Sequence, residues 1–343
     1  MSELVGHVEQ LWQYPVKSMA GVSLDAAKLG PNGLLGDRGW CAREEDIGQL
    51  TVVRRTPKLL LCRATYEADT SAPLEDSFRA GQIPPVRITL PDGQSFSSTD
   101  ADAADRLSEF LGIRVTLWPL QKKSKLSHYR LAKPQGAREF KRQFASKTLP
   151  DFSSIPFSKI LELMFFVTPL GSYYDLAPLH ILSSSALAHM RSIDPKAEFR
   201  IERFRPNIFV RSLDEDKGLD DFSWVQGRLQ IGEAEVRCRS RTVRCSAPAQ
   251  PMLSGLTAKE ASDSSGPQTS FEKDGGVLRA IERETGRHLG IYASVKTPGL
   301  LRVGDPVYWL RAKAKPAEGL STYQRLRNRV LHASLESVDR FGC

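Results

Sequence analysis

"LWQYPVKSMAGVSLDAAKLGPNGLLGDRGW", residues 11 to 40, sets short apolar and alternating runs between Gly, Pro and Asn. That punctuation is the signature of a β-meander. The same pattern extends in both directions, through "HVEQLWQYPV" before it and "RGWCAREE", "QLTVVRR" and "KLLLCRATYEA" after it, up to about residue 70. "PVRITLPDGQSFSS" (85 to 98) reads as a hairpin turning at Asp92-Gly93, and "DADAADRLSEFLG" (100 to 112) as a helix with acidic residues at its start. A first domain, 1–120, is expected to close there.

Residues 121–165 are expected to be a basic linker or loop region, because "QKKSKLSHYRLAKPQGAREFKRQFASK" carries nine Lys or Arg and a Pro-Gln-Gly break. Beyond it "SSSALAHMRSI" (183 to 193) has helical spacing, "RFRPNIFV" ends in a strand, and "SWVQGRLQIGEAEVRCRSRTVRC" alternates through two more. Residues 253 to 274 lack periodicity and are rich in Ser, Ala, Gly and Thr, the composition of a long mobile loop. "HLGIYASVKTPGLLRVGDPVYWL" returns to strands, giving a second β-rich domain over 166–312. In the tail, 313–343, Leu326, Val330, Leu331, Leu335 and Val338 fall at near-helical spacing, so an amphipathic helix is predicted.

The chain has 343 residues and a formal charge of +8, a surplus that favours anionic ligands without naming one. No run is apolar for long enough to span a membrane, no secretory leader opens the chain, and the five cysteines are odd in number. A cytoplasmic protein with no transmembrane segment is expected. Nucleic-acid binding is not expected, since no aromatic stacking or helix motif accompanies the basic segment.

Cys41, Cys62, Cys238, Cys245 and Cys343 form no CxxC pair, and the six histidines form neither HxH nor HExxH. Zinc ribbons, iron–sulfur motifs and zinc hydrolases lose their signatures. GxSxG, Walker and GxGxxG motifs are absent as well. Cys245 follows Arg239, Arg241 and Arg244, which would lower its pKa if they converge on it. On residues alone it stays open between metal ligand, reactive thiol and buried sulfur, while Cys238 reads as a core thiol. Lys17-Ser18 at a strand-to-turn junction, Arg38 in "GLLGDRGW", and Arg205 with Asn207 in "ERFRPN" are each candidate anion-binding groups or plain solvated positions.

Taken in order, these stretches resemble the MOSC family, the molybdenum-cofactor sulfurase C-terminal-like proteins. The resemblance rests on residues 11 to 40 and on "DLAPLHILSSSAL", "FRPNIFV" and "LRVGDPVY", and it is closest to stand-alone amidoxime-reducing-component-like proteins. It implies a β-rich α+β fold with an N-terminal β-barrel domain and a MOSC β-barrel domain with flanking helices. It also implies that Cys245, in "VRC", gives its thiolate to molybdenum, and that Lys17, Ser18, Arg38, Arg205, Asn207 and Arg244 bind the molybdenum cofactor.

The implied activity is reduction of small N-oxygenated compounds (hydroxylamines, amidoximes, N-oxides) by oxygen-atom transfer. Electrons would come from a separate electron-transfer protein, since no ferredoxin-like extension is evident. No pyridoxal-phosphate aminotransferase-like domain precedes the MOSC region, so a complete cofactor sulfurase is not expected. One departure stands out: after the cysteine the family continues with a Val-Asp-Pro-x-Thr-Gly segment, whereas this chain reads "SAPAQPMLSGLTAKEASD". Two alternatives therefore accompany the reductase: a cofactor or sulfur carrier, and a specialised biosynthetic MOSC enzyme that has lost the usual cofactor.

Overall fold

The computed structural model describes residues 2–67, 82–144, 147–149, 152, 155–257, 260, 268–311 and 322–341. The fold is α+β and β-rich. Its centre is a closed seven-stranded barrel, in the order Ile208–Ser212, Leu179–Ser183, His288–Thr297, Ala234–Val243, Arg228–Ile231, Pro306–Leu310 and Ser2–Gln13, with the last strand pairing back to the first. Only Leu179–Ser183 and Ile208–Ser212 run parallel. A parallel pair needs a crossover, and the helix Ser184–Ile193 supplies it, starting at Ser183, whose hydroxyl accepts from the Ala186 N–H. The predicted 183–193 helix is thus present.

Alternation sets the inside of the barrel. Along Ala234–Val243 the side chains of Val236, Cys238, Ser240 and Thr242 are buried, while Arg237, Arg239 and Arg241 face solvent. Cys238 joins Val8, Leu11, Ile181, Val210, Leu229 and Ile291 in the core, with Trp224 packed among them. Each fully buried aliphatic side chain of this kind contributes about 1.5–3 kcal/mol.

Among the three-stranded sheets outside the barrel are Val115–Pro119 with Trp40–Glu44 and Gln49–Leu50, and Arg63–Tyr66 with Val86–Thr89 and Ser95–Ser97. The hairpin turns where expected, with Gly93 at φ 89° and the Asp92 carboxylate accepting from the Gln94 N–H. The helix Ala103–Leu111 buries Ala103, Leu107 and Leu111 against these sheets and stops at Gly112, φ 74°.

Three parts of the architecture differ from the sequence reading. The strand Ser2–Gln13, read as part of an N-terminal unit, lies in the barrel between partners some two to three hundred residues away; periodicity reveals a strand but not its partner. The 121–165 segment, read as a basic linker, holds the helices Leu126–Tyr129, Ala137–Gln143 and Phe157–Phe165. Its charges lie outside, and Phe140, Phe144, Phe152 and Ile160 form a buried cluster with Leu331 and Leu335 of the C-terminal helix Thr322–Phe341. The stretch read as a mobile loop pairs Met252–Leu253 with Ser270–Phe271, although residues 258–259 and 261–267 of it lie outside the described residues, as do 313–321 of the tail and Cys343. Among the described residues no helix is long and apolar enough to cross a membrane.

One buried carboxyl makes the fold pH-sensitive. Asp221 is fully buried; one of its oxygens accepts from the Ser183 N–H at 3.4 Å and the other has no partner among the described residues. Burial first, and then the charge of Asp220, pushes its pKa up to about 8. An unfolded aspartate titrates near about 3.9. Between roughly pH 4 and 8 the folded state therefore holds a proton that the unfolded state has lost, and stability falls as pH rises, by roughly 1.4 kcal/mol per unit. Asp221→Asn, an uncharged mimic, is expected to flatten that slope in thermal unfolding from pH 5 to 8. Parallel curves for the two proteins would contradict the assignment.

Candidate functional site

Segments that enter or leave barrel strands converge on one cleft. Residues 14–19 follow the strand Ser2–Gln13, Arg205–Asn207 precede Ile208–Ser212, and Arg244 and Cys245 follow Ala234–Val243. Lys17, Ser18, Arg38, Arg205, Asn207, Arg244 and Cys245 all line this cleft. The structure thus brings together every residue that the sequence singled out for a site.

Backbone strain marks the same place. Five described non-glycine residues have left-handed φ, and three are Ser18 (69°), Arg38 (52°) and Arg205 (54°). Such conformations cost on the order of 1–3 kcal/mol each unless the surroundings impose them, and here the surroundings do. The Arg38 N–H donates to the Tyr14 carbonyl at 2.6 Å, and the Arg205 guanidinium donates to the Met19 carbonyl at 2.6 Å. Both guanidiniums stack on the Tyr14 ring, 4.9 and 4.3 Å from its centroid. Tyr14 is fixed in turn by its hydroxyl, which donates to the Pro206 carbonyl at 3.1 Å.

The charges divide into paired and unpaired. Lys17 pairs with Asp175 and donates to the Tyr173 carbonyl at 3.0 Å, and Arg38 pairs with Asp37. The Asp175 side chain is largely exposed; against the desolvation it meets within the cleft, Lys17 and then Arg38 and Arg205 pull its pKa down to about 2. Arg205 and Arg244 pair with no carboxylate among the described residues. Arg244 donates through Nη2 to the Phe204 carbonyl at 2.8 Å, and its buried Nε has no partner among the described residues. Burial, followed by the repulsion of Arg38, pushes Arg205 down to about 10, which still leaves it a cation at neutral pH. Two partly desolvated guanidiniums with no directly paired carboxylate among the described residues are costly unless an anion joins them. The donor set therefore fits a phosphate-bearing ligand.

Cys245 sits at the apolar edge of the cleft, partly exposed and packed against the Phe140–Phe152 cluster. Burial and then Asp175 raise its pKa, opposed by the Ala247 N–H and by Arg244. The three arginines that precede Cys245 do not converge on it. Arg239 donates to the Ser294 hydroxyl at 2.7 Å and Arg241 lies over the Phe222 ring at 4.3 Å, both on the outward phase of the strand; only Arg244 turns in. No group of three or more metal-binding side chains exists among the described residues. A metal beside Cys245 would take its remaining ligands from a cofactor.

Within "ERFRPN" the two arginines have different surroundings. Ile201–Phe204 is a helical turn that ends at left-handed Arg205. Arg203 is fully buried and clamps the divergent segment after Cys245, donating to the Pro248 and Gln250 carbonyls at 3.1 and 3.2 Å and to the Glu272 carbonyl at 2.8 Å. Asn207 has both ends of its amide engaged, with the His180 N–H at 3.2 Å and the Trp12 carbonyl at 3.3 Å. It fixes the strand ends that shape the cleft.

Sequence reasoning missed Tyr14, Asp175 and His180, which carry no local pattern. Burial and then Arg244 hold His180 well below its usual pKa, so the neutral ring accepts at Nε2 from Arg244 Nη1, 3.3 Å away. Gly290, at φ 76°, makes room for that ring. A Cβ there would lie 2.3 Å from His180 Nε2 and 2.8 Å from the Ile181 carbonyl oxygen. Gly290→Ala is expected to lower stability by about 2–4 kcal/mol and to displace the His180–Arg244 contact, measured by denaturant unfolding and the His180 ring resonances. Unchanged stability would refute the close approach.

Two family models match the chain: the MOSC domain over residues 171–308 and the MOSC N-terminal beta barrel domain over residues 5–114. Mitochondrial amidoxime reducing component 2 of Homo sapiens is 30% identical over 316 residues, covering 89% of this chain and 83% of that protein. Its Bos taurus counterpart is 29% identical over 319 residues with the same coverage, and mitochondrial amidoxime-reducing component 1 of Mus musculus is 28% identical over 328 residues, again covering 89% and 83%.

Proposed function

This chain belongs to the MOSC family, and from that premise we propose that it is a molybdenum-dependent reductase of N-oxygenated compounds such as hydroxylamines, amidoximes and N-oxides. The observation that carries the reading is one cleft holding a single partly exposed thiol beside Lys17, Arg38, Arg205 and Arg244, two of these cations making no ion pair with a carboxylate among the described residues. When bound, the molybdenum cofactor supplies two-electron oxygen-atom-transfer chemistry.

The chain's own residues would hold and shield that group. Cys245 provides the protein thiolate, with Arg244 and the Ala247 N–H offsetting part of the cost of ionising it. Lys17, Ser18, Arg38 and Arg205 offer donors to the phosphate and pterin, and Asn207 keeps their strands in place. Neutral His180 orients Arg244 without adding a charge. Electrons would come from a separate electron-transfer protein, as the resemblance to amidoxime-reducing components implies.

The test is the molybdenum content per chain of protein made in a host that synthesises the cofactor, together with reduction of an amidoxime by a chemical electron donor. Near-stoichiometric metal with turnover is expected. Metal without turnover would favour a carrier role, and a folded protein free of molybdenum would overturn the reading.

A further inference from the structure

The cleft also has an apolar wall that plays no part in the proposed cofactor binding. It is formed by Phe140, Phe144, Phe152 and Ile160, and the three phenylalanine rings pack on one another at 5.6 to 6.4 Å between centroids. All four lie between residues 114 and 171, outside both family-matched regions. The C-terminal helix Thr322–Phe341, also outside them, backs this wall. Leu331 and Leu335 are buried in it, Asp339 accepts from the Arg138 N–H at 2.7 Å, and Asn328 accepts from the Phe152 N–H at 3.2 Å.

Charge on this side is compensated. Arg54 lines the same cleft, but it pairs with Glu139 at 2.8 Å and reaches the Gln143 amide oxygen at 3.4 Å. Glu139 also meets Arg142, which is largely in solvent, at 2.6 Å. The Nε of Arg54 is buried without a partner among the described residues, leaving a donor for an uncharged oxygen or nitrogen acceptor. An anion arriving here would meet Glu139, and a cation would meet Arg54.

We propose that Phe140, Phe144, Phe152 and Ile160, with the Arg54–Glu139 pair at their edge, form the substrate-body subsite, and that it selects uncharged compounds with an apolar body over ionic or very small ones. The subsite rests on the reductase reading for the reacting N–O group, and on the cleft geometry for everything else. Its continuity with Cys245, which packs against the same cluster, places the apolar body beside the reacting end.

The experiment titrates the holoprotein calorimetrically with straight-chain primary amides from acetamide to heptanamide, which resemble amidoximes but have no N–O bond to reduce. Affinity is expected to rise about fourfold per methylene, and hexanoate to bind at least tenfold more weakly than hexanamide. Phe144→Ser should flatten the series. Should that variant not fold, Glu139→Gln, a change at a partly exposed position, decides: it frees the Arg54 charge and should bring hexanoate up to or above hexanamide. A flat series in the wild type, or hexanoate still rejected by Glu139→Gln, overturns the subsite. Reduction of the matching amidoximes is measured in parallel, so a chain-length dependence without turnover refutes the reductase and leaves the subsite standing.

Discussion

Cys245→Ala is expected to lose its molybdenum on purification and to reduce amidoximes at least about 1000-fold more slowly than the wild type. Losing an outer-shell partner of a bound metal typically costs roughly 10–100-fold, and the proposed role of Cys245 is direct ligation, so its removal should exceed that range. No other described side chain can substitute, because no second cysteine lines the cleft. The fold should survive. Cys245 is only partly buried at the edge of its cluster, and deleting one sulfur there leaves the Phe140, Phe144 and Phe152 contacts in place. Elemental mass spectrometry, amidoxime turnover and a thermal melt of both proteins separate the outcomes. A mutant that melts like the wild type and keeps its metal would remove Cys245 from the site.

What the sequence made legible was whatever depends on near neighbours. Asp92-Gly93, the helix ending at Gly112, and the helix after Ser183 each follow from a few adjacent residues, and all are found, although Asp102 at the start of the first helix makes no side-chain capping bond. The order of landmark stretches carried further, bringing Lys17, Ser18, Arg38, Arg205, Asn207, Arg244 and Cys245 to one cleft. What escaped reading depends on distance along the chain. Ser2–Gln13 closes a barrel whose other strands begin at residue 179, Asp175 meets Lys17, and His180 reaches Arg244; no local pattern encodes such meetings. Charge also misled. The nine basic residues of 121 to 147 hid an apolar face that appears only when Phe140, Phe144 and Phe152 close on Leu331 and Leu335. The three arginines before Cys245 illustrate the converse, since alternation alone sends Arg239 and Arg241 outward.

Arg205→Met is expected to weaken retention of the molybdenum cofactor by about 100-fold or more, the second-largest effect after loss of Cys245. Removing one partner of a hydrogen-bonded charge pair costs about 2–5 kcal/mol, and Arg205 makes no direct ion pair with a carboxylate among the described residues, so the ligand would be its contact counter-charge, with Asp175 and Asp37 acting on it only through space. Its position is imposed: a left-handed backbone, a hydrogen bond to the Met19 carbonyl and a stack on Tyr14 hold the guanidinium where it is. Methionine keeps the length and drops the charge. Arg205→Lys keeps the charge and loses the planar fork and the stack, so it should fall between the two, near tenfold. Stability of the cofactor-free protein should move the other way or not at all, because a partly buried cation with no directly paired carboxylate has been removed. Retention is measured as molybdenum per chain after dialysis at increasing salt, and stability by denaturant unfolding without cofactor. If Arg205→Met holds its metal as the wild type does, Arg205 is a structural cap for Ile201–Phe204 and the anion is bound by Lys17, Arg38 and Arg244 alone. If both variants lose metal equally, the stack on Tyr14, and not the charge, makes Arg205 indispensable.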